Sequence, residues 1–126
     1  MDKILVLTHE IDYERGIIYR HLRVLPKDDK LHAMCKWLNC NMVDVVPIMA
    51  EDRKYDVWFD EEHMLKAGTK VPTFLLRTNP DCLIPIMGNI LFAKSDDEGE
   101  MIGLDCEDLH VLSRYMGQLP LPSLMV

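Results

Sequence analysis

The stretch GIIYRHLRVLPKDDKLHAMCKWLNCN, residues 16–41, places a strand directly before a helix. Residues 17–24 are rich in β-branched and aromatic side chains, with Arg20 and Arg23 as solvent-facing candidates, which predicts a strand. Pro26 ends strand pairing because it has no backbone N–H to donate. This stretch predicts that the domain contains both strands and helices.

The helix of this stretch is predicted from the spacing of its apolar residues. Asp28 or Asp29 can cap it by accepting a backbone N–H, and Asn39 suits its end because asparagine tolerates left-handed geometry. Four residues at i, i+3, i+4 and i+7 form one apolar stripe: Leu31, Met34, Cys35 and Leu38. Cys35 is therefore predicted to be a small buried hydrophobic residue.

Working outward, five further strands are predicted, over residues 3–8, 42–48, 56–59, 90–94 and 100–103. A second helix begins at Asp105 and has an apolar stripe over residues 109–116. Prolines interrupt residues 69–87, where we expect loops and a short extended piece near residues 74–76.

The predicted order is β-β-α-β-β-(irregular)-β-β-α, an α+β domain with a mixed or antiparallel sheet and its helices on one face. A ubiquitin-like roll is compatible with the first half. The domain spans residues 1–119, and residues 120–126 form an extended tail. The sheet is expected to bury five residues against the stripes at 31–38 and 109–116: Ile4, Val6, Val45, Val57 and Leu91.

The composition of the chain argues against several classes of function. Fourteen basic and twenty-one acidic residues give a formal net charge of −7. This charge argues against general nucleic-acid binding and against docking on anionic membranes. The chain opens without a signal-peptide pattern, so its four cysteines are expected to be reduced thiols in the cytoplasm. No motif for a metal or a cofactor is recognised, and we expect neither.

The best candidate for a nucleophile is Cys106, with His110 four residues further along the same helix. The positive end of a helix dipole lowers a thiol pKa, whereas the neighbouring Asp105, Glu107 and Asp108 oppose thiolate formation. A half-buried cysteine beside a surface histidine on a short helix is the favoured explanation of the pair. We therefore expect no catalytic site, and keep a small thiol-dependent or metal-dependent enzyme as the alternative.

Two acidic segments, residues 60–62 and 96–100, each follow a predicted strand that contains an aromatic residue. If these strands run in the same direction side by side, both segments emerge at one sheet edge and form a negative patch for a basic protein partner. Two unrelated solvated turns are the alternative. The partner-binding candidates are Trp58, Asp60, Glu61, Glu62, Asp96, Asp97, Glu98 and Glu100.

The segments YDVWFDEE (residues 55–62), GNILF (residues 88–92) and DDEGE (residues 96–100) resemble those of an uncharacterised family of small proteins from phages, plasmids and other mobile elements. The resemblance covers roughly residues 42 to 116, and Asn79-Pro80-Asp81-Cys82 departs from it. It implies an accessory protein of a mobile element and supplies no catalytic residue. We expect a non-catalytic binding protein, for example a DNA mimic or an inhibitor of host defence.

Overall fold

The computed structural model of the protein describes residues 3–66, 72–79 and 82–118. Strands β1 (Ile4–Asp12) and β2 (Ile17–Leu25), both predicted, form an antiparallel hairpin. Both strands are longer than predicted at the turn, so only four residues connect them. Gly16, at φ 68°, takes the left-handed conformation that closes this turn, and its N–H donates to the Asp12 carbonyl at 2.8 Å.

Helix α1 (Lys30–Leu38) lies where the apolar spacing predicted it. Asp29 occupies the N-cap position in a left-handed conformation and makes no side-chain cap hydrogen bond, so the predicted cap is wrong. Asn39 ends the helix in the left-handed region, as expected.

A second hairpin consists of β3 (Val43–Ala50) and β4 (Arg53–Asp60). Its turn contains only Glu51 and Asp52, both at positive φ (50° and 66°), which is the geometry of a type I′ turn. The residues after them already pair in β4, so this strand begins three residues earlier than predicted.

The segment predicted to be irregular contains a two-stranded ribbon, β5 (Pro72–Asn79) and β6 (Cys82–Met87), preceded by a 3-10 helix over His63–Lys66. The expectation of loops was wrong because each strand of such a ribbon has one unpaired edge. Proline is tolerated there and at the first position of a strand. Pro72 opens β5, and Pro85 lies opposite Leu75 within the ribbon.

The remaining elements are β7 (Ile90–Ser95), β8 (Met101–Ile102) and α2 (Cys106–Gln118). The main sheet has the order β2-β1-β7-β4-β3 with antiparallel pairing, and β8 pairs with the end of β7. Next to β8, the Leu104 N–H donates to the Leu5 carbonyl of β1 at 2.9 Å. A Cβ on Gly103 would lie 2.5 Å from the Lys3 carbonyl oxygen, so this close approach requires glycine.

The two helices cover opposite faces of the sheet, which corrects the prediction that they share one face. The face towards α2 and the ribbon buries Val57, Phe59 and Phe92, whereas the face towards α1 buries Leu91 and packs Trp58. Neighbouring residues of β4 and β7 therefore contact different cores, since strand side chains alternate between faces. The fold is α+β with an antiparallel sheet and two helices, as predicted.

Four of the five predicted sheet residues are buried: Ile4, Val6, Val57 and Leu91. Val45 is 37% exposed on β3, the outermost strand of the sheet. Leu31 is 59% exposed, so the core contacts of α1 come from Met34 and Leu38 in its later turns. The proposed tail at residues 120–126 lies outside the described residues.

Candidate functional site

The two acidic segments lie at opposite ends of the sheet. Strands β4 and β7 pair antiparallel, with Phe59 opposite Ile90 and Asp56 opposite Ala93. Residues 60–62 thus lie beside the start of β7, whereas residues 96–100 follow its end. About seven residues of strand separate them, roughly 24 Å at 3.4 Å per residue. The shared negative patch predicted from the sequence is therefore wrong.

Within the first acidic segment, burial limits which residues can reach a partner. Asp60 is buried and its Oδ1 accepts the Glu62 N–H at 2.9 Å, so it stabilises the turn after β4. Trp58 is only partly exposed and packs in the core beneath α1, and its buried Nε1 has no hydrogen-bond partner among the described residues. Glu61 is exposed and Glu62 is half-buried.

The second acidic segment is an exposed, closed turn. The Oδ1 atom of Asp96 accepts the N–H groups of Glu98 and Glu100, each at 2.9 Å, and Gly99 adopts φ 84°. Asp97 is exposed together with these three acidic side chains. This acidic loop, residues 96–100, remains accessible to a partner.

Cys106 and His110 do not form a catalytic pair in the described structure. Both residues lie within the described part of α2 and are exposed there. No hydrogen bond joins the thiol of Cys106 to the imidazole of His110 in this described part. Among residues 3–66, 72–79 and 82–118, no three His, Cys, Asp or Glu side chains are grouped closely enough to hold a metal ion. The alternative of a thiol-dependent or metal-dependent enzyme stays a prediction.

The free edge of β2 is the most accessible pairing surface of the main sheet. β2 is terminal in the strand order, nine residues long and free of proline. Leu22 and Val24 are 55% and 51% exposed, although they pair with Leu7 and Leu5 and so continue the apolar face that is buried further along the sheet. An unpaired edge beside exposed apolar side chains is a surface that can accept another strand.

The opposite edge of the sheet, on β3, is blocked. Pro47 has no N–H to donate, and the Val45 N–H is accepted by the Asp44 side chain at 2.8 Å. Both features prevent a further strand from pairing there. The asymmetry singles out β2, because natural sheets commonly protect an edge that does not bind.

The charges on β2 are basic, although the chain as a whole is acidic. Arg20 is exposed and has no ion-pair partner within the described residues. Arg23 binds Glu10 through two nitrogen atoms, at 2.8 and 3.0 Å, and lies over the Trp37 ring. The two arginines are three positions apart in the strand, so their side chains lie on opposite faces of the sheet. Arg20 shares a face with Leu22, whereas Arg23 faces α1.

A buried ionic network fixes α2 to the sheet. Asp108 is 1% exposed and accepts hydrogen bonds from Arg53 at 2.9 Å and from the Tyr55 hydroxyl at 2.8 Å, and Lys94 contacts its other oxygen. Its carboxylate and that of Asp105 also cap each other's backbone N–H groups, at 2.9 and 2.8 Å. Burial raises the pKa of Asp108, but these donors outweigh it and hold the pKa far below its usual range.

The Asp108 network is structural, because each donor satisfies the carboxylate and leaves it no open position for a ligand. Asp105, where the second helix was predicted to begin, caps α2 by accepting the Asp108 N–H. The role of Asp108 could not be predicted from its neighbours, since Arg53, Tyr55 and Lys94 are far away along the chain.

A buried histidine joins the ribbon to β1. His9 is 2% exposed, and its Nε2 lies 3.1 Å from the carbonyl oxygen of Thr73. A carbonyl only accepts, so the ring carries its proton on Nε2; its buried Nδ1 has no partner among the described residues. Burial, with a smaller contribution from the nearby charge of Arg20, lowers the pKa of His9 to about 4, although the contact with Thr73 acts in the opposite direction. The residues next to His9 in the sequence do not indicate this role.

Comparisons with protein families, with curated proteins and with solved structures find no match for this chain. The resemblance to small proteins of mobile elements and the comparison with a ubiquitin-like roll therefore stay predictions. No helix among the described residues is long and apolar enough to cross a membrane.

Proposed function

We propose that this protein is a non-catalytic accessory protein that binds an extended segment of a protein partner along the free edge of β2. The observation that carries the proposal is the contrast between the two edges of the sheet. β2 is long, unblocked and flanked by exposed apolar side chains, whereas β3 is closed by Pro47 and Asp44. Strand addition to such an edge is a common mode of peptide recognition.

The side chains of β2 define the chemistry of the partner. Arg20, Leu22 and Val24 share one face of the strand, so a bound segment would place apolar side chains opposite Leu22 and Val24 and a carboxylate opposite Arg20. A second copy of this chain fits less well, because residues 17–25 contain no carboxylate to neutralise Arg20. The preferred occupant is a segment in which apolar and acidic residues alternate.

The proposal includes the setting that the sequence predicts. The sequence pattern favours a cytoplasmic protein with reduced thiols, and the resemblance favours an accessory protein of phages or other mobile elements. The acidic loop, residues 96–100, is a second candidate contact for a basic region of the partner. It can steer association through its charge without sharing the β2 edge.

Two synthetic peptides test the edge directly. The first is Thr-Val-Thr-Val-Thr-Glu-Thr, and the second has Lys in place of its Glu. We expect the Glu peptide to shift and protect the amides of β2 in NMR spectra, with the Lys peptide binding at least about fivefold more weakly. Arg20→Glu should reverse the preference, whereas Lys54→Glu, the same charge change at an exposed position of β4, should not.

Two results would overturn the proposal: β2 amides that respond to neither peptide, or an Arg20→Glu variant with unchanged preference. A peptide-independent dimer that protects the same amides would assign the edge to self-association instead. Charge reversal of Asp97 and Glu98 tests the acidic loop separately, since these residues do not belong to β2. Capture of a host protein that is lost in Leu22→Asp and retained in Lys54→Glu would identify the natural partner.

A further inference from the structure

A cavity of about 710 Å³ opens at the end of the sheet where β8 lies against β1. This volume is in the range of small-molecule sites. Buried Ile4 and Leu104 line it together with Met101, Ile102 and Gly103, so one side is largely apolar. Gly103 keeps the adjoining backbone close to β1, and a side chain there would collide with it.

Three lysines converge on this cavity: Lys3, Lys27 and Lys30. None of them forms an ion pair within the described residues, in contrast to Lys94, whose ammonium group contacts Asp105 and Asp108. Three ammonium groups around one space repel one another. Their convergence is notable in a chain of net charge −7, because the protein has carboxylates in excess to neutralise them.

Glu100 is the acidic residue in the cavity lining, and it leaves most of this charge unbalanced. Its carboxylate pairs with no lysine in the described ranges, while its backbone N–H is held by Asp96 Oδ1 at 2.9 Å. Three lysines and one glutamate give the lining a formal charge of +2. A phosphate monoester carries a charge of about −1.5 to −2 at neutral pH and has enough oxygen atoms to contact several ammonium groups.

We propose that this cavity binds a small organic phosphate, with its phosphate group between Lys3, Lys27 and Lys30 and its apolar part against Ile4 and Leu104. The site is separate from the proposed partner-binding edge of β2, and neither proposal depends on the other. A small molecule is preferred to an anionic membrane because the protein as a whole is repelled by a negative surface.

Titration calorimetry with three probes tests the ligand class: 1-naphthyl phosphate, pyrophosphate and the neutral 1-naphthol. We expect 1-naphthyl phosphate to bind most tightly and to shift the amides of Ile102 and Gly103 in NMR spectra. Its affinity should fall as salt is added, because the phosphate contacts are electrostatic. If 1-naphthol binds as tightly as 1-naphthyl phosphate, the phosphate group is not recognised. If pyrophosphate binds as tightly, the apolar part of the ligand is not recognised. Either result would overturn the proposal.

A matched pair of double variants tests the location. Lys27→Gln with Lys30→Gln removes two positive charges from the cavity, whereas Lys36→Gln with Lys54→Gln removes two exposed lysines elsewhere. The first variant should bind 1-naphthyl phosphate at least about tenfold more weakly, and the second should bind it like the parent protein. Equal affinities in the two variants, or no binding by the parent protein, would overturn the proposal.

Discussion

Protonation of His9 should destabilise the protein as the pH falls from 7 to 5. The folded pKa of His9 is about 4, against an ordinary value of 6.5, because its ring is buried. A protonated ring would also bury an Nδ1–H donor, and the described residues offer that atom no acceptor. Since the folded pKa is lowered, the stabilisation is present above pH 6.5 and is lost as the pH falls towards 4.

The size of the effect follows from the two pKa values. The full difference of 2.5 units corresponds to about 3.4 kcal/mol at 1.36 kcal/mol per unit. At pH 5 the unfolded histidine is roughly 97% protonated and the folded one only about 9%. The free energy of unfolding should therefore fall by about 2 kcal/mol between pH 7 and pH 5 through this one group.

Urea unfolding at pH 7.5, 6 and 5 measures this loss. In His9→Gln the amide can still donate to the Thr73 carbonyl, but it does not titrate. The advantage of the parent protein over this variant should therefore shrink by about 2 kcal/mol from pH 7 to pH 5. His32→Gln, on the exposed surface of α1, is the control and should leave the pH dependence of the parent protein intact. A difference between parent and His9→Gln that stays within about 0.5 kcal/mol across this range would refute the reasoning.

Three further predictions concern stability. Leu38→Ala should lower the free energy of unfolding by about 2–5 kcal/mol because the side chain is fully buried. Leu31→Ala, at a 59% exposed position, should lower it by under about 0.5 kcal/mol, and equal losses in denaturant unfolding would contradict the core assignment. Asp52→Gly should raise the free energy of unfolding by up to about 1 kcal/mol, since φ 66° suits glycine, and a lower melting temperature would contradict this. Asp108→Asn should lower the free energy of unfolding by about 3 kcal/mol, because it leaves Lys94 and its neighbours without their buried counter-charge. A loss below about 1 kcal/mol in urea unfolding would show that the network is dispensable.

Features encoded by neighbouring residues were predictable from the sequence. The first hairpin, the helix containing Met34 and Leu38 and the cap at Asp105 each form within one continuous stretch of the chain. The ribbon was not predicted because proline is unfavourable in a strand that pairs on both sides. In a two-stranded ribbon each strand has one unpaired edge, so proline is tolerated there. Burial on both faces of β7 was missed because a short apolar run does not reveal which layers lie above and below it.

The candidate site was less predictable because it depends on strand order and direction. The shared acidic patch required parallel neighbours, and β4 and β7 are antiparallel. The accessibility of Leu22 and Val24 follows from the place of β2 at the end of the sheet, which no local pattern specifies. His9 contacts Thr73 across 64 residues of chain, so its burial could not be inferred from its neighbours in sequence.

Strand β7 lies between two hairpins that are complete much earlier in the chain, over residues 4–25 and 43–60. On the ribosome each hairpin can form as soon as it emerges, because its contacts are local. The two cannot join into one sheet until residues 90–95 have been synthesised and inserted between them. During that interval the inner edges of β1 and β4 are unpaired, so this is the stage of biosynthesis at which the nascent chain is most exposed to intermolecular strand pairing and most dependent on chaperones.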